Sequence, residues 1–131
     1  MITNAGRAVI TARLYGVAAA AFCANGIGTG TNAPANTDTA LQTGVTASGS
    51  ADGGVHAIPT ASTTPSSQTT TVANDTAQWQ GTVTASGAIA VTEAGLFNAD
   101  SAGTMLCRQT FSAVNLASGD SLQITFKVKN A

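Results

Sequence analysis

Charge is what this sequence has least of. Asp, Glu, Lys and Arg make up 8% of its 131 residues, against about 25% in an average soluble domain. The five basic residues are scattered. They cannot neutralise a run of phosphates, so no nucleic-acid partner is expected. Histidine occurs once, at His56, and cysteine twice, at Cys23 and Cys107, with no Cys-x-x-Cys pair. That leaves no ligand set for a metal, and no cofactor is expected. Two cysteines do not make a disulfide framework. Two thiols, buried or half-buried, are the expectation, and a disulfide within or between subunits is the alternative. There is no run of about 18 apolar residues, so no membrane-spanning helix is expected. Arg7 and Arg13 precede an apolar stretch, residues 14–24, that faintly resembles a secretory signal. Its alanines make it weakly hydrophobic, and it reads as part of the folded chain.

What the chain does contain is alanine, 14 glycines, and Ser and Thr at roughly a quarter of all positions. The hydrophobic share is 44% and the formal net charge is -1, which is not the signature of a disordered chain. Residues 1–131 fit one domain. Its nearly uncharged surface protects poorly against association, which points to a subunit of a permanent assembly.

Residues 3–15 read as a short helix. Thr3 or Asn4 can cap it, Ala5, Ala8, Val9 and Ala12 form its apolar stripe, and Gly16 ends it. Residues 18–28 read as a buried strand entering a bend at Gly26, Gly28 and Gly30. Those glycines lack the following helix or lysine of a phosphate-binding loop. Asp38 is placed to cap one helical turn through Leu41. Residues 46–68 are rich in Thr, Ser, Gly and Pro. They read as an extended loop or arm, with at most one edge strand at 55–58.

From Thr69 onward the signal is β. Strands are expected over 69–72, 75–85, 88–97 and 104–111. In the last strand Leu122, Ile124, Phe126 and Val128 alternate strictly with Gln123, Thr125, Lys127 and Lys129. The fold expected is mainly β: an antiparallel β-sandwich, jelly-roll or immunoglobulin-like, with a short N-terminal helix.

No catalytic constellation stands out, and no enzyme is expected. The aspartates sit at turns, where Asp is favoured for local hydrogen bonds. His56 has no nucleophile marked beside it. Trp79, flanked by Gln78 and Gln80, suits core packing first and an interface second. Tyr15 and His56 are further interface candidates. Glu93 and Arg108 flank the loop 98–103. A symmetric hairpin would set Phe97 against Thr104, Leu96 against Met105 and Glu93 against Arg108, forming a structural ion pair.

The residues 92–99 (TEAGLFNA), 103–112 (GTMLCRQTFS) and 114–126 (VNLASGDSLQITF), with Ile27-Gly28-Thr29-Gly30 and Asp38-Thr39-Ala40-Leu41-Gln42-Thr43 upstream, carry a resemblance. In this order they resemble a family of small virion structural proteins of tailed bacteriophages, along most of the chain. Gly44, where the family often has an acidic residue, and Cys107, often a small one, depart from its pattern. The resemblance implies a virion component assembled in the host bacterial cytoplasm. A capsid decoration, or cement, protein bound to the major capsid protein is the first expectation. A tail, neck or fibre-base component is the alternative. A homo-oligomer is expected, with a trimer favoured by analogy with decoration proteins.

Overall fold

The computed structural model describes residues 1–18, 20–52, 64–68, 71–99 and 101–129. One helix, α1 (Asn4–Leu14), precedes seven strands: β1 (Ala24–Gly28), β2 (Gly44–Val45), β3 (Thr64–Gln68), β4 (Thr76–Thr84), β5 (Ile89–Phe97), β6 (Met105–Leu116) and β7 (Ser121–Lys129). They form two antiparallel sheets, ordered β2-β1-β5-β6 and β3-β4-β7. The chain is therefore mainly β with a short N-terminal helix. Ile27, Val45, Ile89 and Val91 from the first sheet pack against Val83, Leu122 and Ile124 from the second. That shared apolar layer makes the two sheets a sandwich.

The strands follow from simple causes. In β7 the strict alternation puts Leu122, Ile124, Phe126 and Val128 inward and leaves Ser121, Gln123, Thr125, Lys127 and Lys129 exposed. Its partner β4 presents Gln80, Thr82 and Thr84 on the same outer face, where Thr84 and Ser121 hydroxyls lie 3.1 Å apart. Two corners carry the chain between sheets, and they are stitched together. The Ala85 N–H donates to the Asp120 carbonyl at 2.8 Å, and the Gly119 N–H donates to the Ala85 carbonyl at 2.7 Å. Gly119 takes a φ of +93° there, which glycine adopts at little cost.

α1 is capped by Thr3, whose side chain accepts the Gly6 N–H. Its docking differs from the alanine stripe expected. Gly6 is the helix's buried residue, lying against the Leu106 backbone where any Cβ would collide. Val9 and Ile10 cover the neighbouring apolar cluster of Phe22, Leu96, Leu106 and Phe126. The strand expected over 18–28 shortens to β1. The segment 69–72 holds no strand among its described residues, since 71–74 turn instead. Of the stretch 46–68, residues 46–51 fold back on themselves, with Val45 bridging Ala51, and 64–68 form edge strand β3 beside β4. The expected strand at 55–58, and His56 with it, lie outside the described residues.

Candidate functional site

β5 is buried on both faces from Glu93 to Phe97. A register shift falls between Val91 and Glu93. Before it, Ile89 and Val91 face the sandwich interior. After it, Ala94 and Leu96 do, so Glu93, Gly95 and Phe97 point to the opposite face. The segment 29–43 lies over that face. Leu41 packs there on Phe97 and Met105, and its methyl lies 3.0 Å from where a Cβ on Gly95 would be.

Glu93 is fully buried under this segment. Its Oε1 accepts the N–H groups of Thr43 at 2.8 Å and Gly30 at 3.1 Å. Its Oε2 accepts the Gln42 N–H at 3.1 Å and Arg108 Nε at 2.7 Å. Each nitrogen of the Arg108 guanidinium also makes a hydrogen bond. Its Nη1 reaches Asp38 Oδ2 at 3.0 Å and its Nη2 the Asn32 carbonyl at 3.2 Å. Burial alone would raise the Glu93 pKa. The Thr43 N–H, Arg108 and the Gln42 N–H outweigh it, and the carboxyl titrates below its ordinary value. Burial likewise works against the Arg108 charge, but Glu93 and Asp38 raise its pKa above the usual arginine value. With every lone pair of Glu93 taken, the group has no capacity to shuttle protons. It is a clip that fastens residues 30–43 to the sheet.

The glycines at 28 and 30 are part of the clip. A Cβ at Gly28 would fall on the Glu93 carboxylate and the Thr43 carbonyl, and one at Gly30 on Gln42 and Glu93. The sequence reading of these glycines as a bend missed this. Asp38 also differs from expectation. It caps no helix; it closes the turn 35–38 by accepting the Ala35 N–H, and it braces Arg108. Glu93 and Arg108 meet at 2.7 Å, but not by direct opposition. Glu93 pairs with Thr110 and Arg108 with Gly95, because the loop sets Phe97 against Met105 rather than Thr104 and a register shift at Leu96/Phe97 then sets Leu96 against Cys107. The two side chains meet diagonally across one face.

The other candidates lie elsewhere. Trp79 is half-buried beside the cluster of Phe22 and Phe126, and its indole N–H donates to the Phe22 carbonyl at 2.9 Å. Tyr15 is exposed just past α1. Both cysteines are free; Cys107 is buried as expected, but Cys23 is exposed rather than buried or half-buried. Among the described residues no cluster of His, Cys, Asp and Glu is arranged to hold a metal, and no helix is long and apolar enough to cross a membrane. No family model, curated protein or solved structure matches the chain.

Proposed function

We propose that the chain is a structural component of a tailed-bacteriophage virion, and that it acts as a capsid decoration protein on the assembled shell. The observation carrying this reading is where the family-like segments meet. Gly30 and Gln42-Thr43, Asp38, Glu93 and Arg108 come from four of the five separate stretches that carry the resemblance, and they converge on one clip. The residues that carry the likeness are thus among those that hold residues 30–43 to the sheet, which supports the reading. The clip's saturation supports a structural role over a catalytic one.

A nearly uncharged sandwich suits a subunit held among many neighbours. Each contact with the major capsid protein can be weak, because contacts repeated within one assembly act together. Oligomerisation, with a trimer as the favoured form, belongs to the same reading. Quantitative mass spectrometry of purified particles tests it. Copy numbers comparable to the major capsid protein support a decoration role. A few copies, matching the symmetry of a ring, move the chain to the tail or neck. Absence from particles refutes the virion reading.

A further inference from the structure

The exposed large apolar side chains are not spread evenly. Leu14 is 82% exposed, Tyr15 69% and Val17 48%, all within four residues. They end a helix that is tied to the sheet at its start and through Val9 and Ile10 at its middle. Thr3 donates its N–H to the Leu106 carbonyl at 2.8 Å, Asn4 donates to the Asn36 carbonyl at 2.6 Å, and Gly6 abuts β6. Every residue from Arg13 to Ala18 is exposed. The end is nonetheless ordered. Gly16 turns the chain at φ +86°, and the Val17 N–H donates to the Ala12 carbonyl at 2.9 Å. This is a glycine C-cap that satisfies the last carbonyls. A rigid end loses little freedom when it binds.

At helical spacing Arg7, Thr11, Leu14 and Tyr15 share one outward face. All four are exposed. α1 carries Arg7 and Arg13 and no carboxylate. The face therefore offers an apolar end and, seven residues or about 10 Å away, a cation. Such a helix is suited to a groove. The apolar surface is on the order of a few hundred Å², well short of the roughly 800 Å² per partner in a stand-alone interface. It cannot hold two free copies together alone. It suits one anchor among many in a larger assembly.

We propose that the outward face of α1 docks into an apolar groove of a different virion polypeptide, with a carboxylate of that polypeptide set against Arg7. This rests on the virion reading above. The test is co-sedimentation of the full chain with particles stripped of it. Wild type should be retained, and less so as salt rises. A Leu14→Ser, Tyr15→Ser double variant should melt like wild type and lose retention about tenfold or more. Arg7→Glu should also lose retention, while Gln123→Glu on the far sheet should not. Unchanged retention of the double variant, or of Arg7→Glu should the double variant misfold, overturns the inference and leaves the virion reading standing. Loss of self-association in the free double variant, seen by analytical ultracentrifugation, overturns it in favour of a second copy. Failure of wild type to bind any particle defeats both.

Discussion

Glu93 exchanges water for four donors, and Arg108 is one of them. Glu93→Gln keeps the shape but removes the charge, leaving the buried guanidinium with Asp38 alone as its counter-ion. We expect a loss of about 3–5 kcal/mol in urea unfolding. The pH dependence has a definite sign. The folded pKa of Glu93 is lowered, so its contribution is complete above the ordinary glutamate value of about 4.3. It is lost as pH falls through the lower folded value. Acidification below about pH 5 should lower the wild-type unfolding midpoint, and Glu93→Gln should show a shallower decline. The Arg108 pKa is raised, so its contribution is present throughout the range below its unfolded value and adds no slope there. The thiols should differ as sharply. Burial pushes Cys107 up to about 11, while Cys23 is exposed. A chromogenic disulfide reagent at about pH 8 should titrate one thiol in the native protein and both in denaturant. Two fast native thiols would contradict the burial of Cys107.

The strands show which parts of the fold a sequence can announce. β7 has one wet face, so its alternation is plain and its inward residues are identifiable by eye. β5 has no wet face after the shift at Glu93, so its run of Ala94, Gly95, Leu96 and Phe97 carries no period. The ion pair was legible because Glu93 and Arg108 flank one loop, yet its register was not. Bulges depend on what packs above the strand, and here that is a segment some fifty residues upstream. The clip's other donors are backbone N–H groups, which no side-chain pattern advertises. Val9 of the expected stripe does pack on the core, but the closest contact of α1, at Gly6, escapes the sequence because a buried glycine leaves no hydrophobic mark. The glycines of β1 make the clip testable at this scale. Gly28→Ala should push the Glu93 carboxylate and the Thr43 carbonyl apart and cost about 1–3 kcal/mol. Gly16→Ala meets no neighbour, but its φ of +86° places a Cβ in the left-handed region and should cost about 1–2 kcal/mol through backbone strain alone. Thermal melts of the two variants, compared in one buffer, check both losses.

Over the whole molecule, the sandwich joins residues far apart in sequence. β1 pairs with β5 and β4 with β7. Far-UV circular dichroism should therefore be β-dominated, with a small helical part that a chain lacking residues 1–16 loses. Folding should be slow for the chain's size, in the millisecond-to-second range, because so many contacts are non-local. Stopped-flow refolding monitored by Trp79 fluorescence measures this, and a microsecond phase carrying the full amplitude would contradict it.

The clip also bears on synthesis at the ribosome. Its acid lies at position 93 and its base at 108, while the segment that it fastens is made long before either. A nascent chain that has exposed residues 1–100 holds Glu93 with no cation to meet it, and β4 still lacks β7. Burying that carboxylate alone is unfavourable. The growing polypeptide is thus kept open until Arg108 and β7 have emerged, and closure becomes a single late event rather than a gradual one. Chains arrested on the ribosome before Arg108 should remain protease-sensitive throughout. Chains extended by a linker past Lys129 should become resistant in a single step.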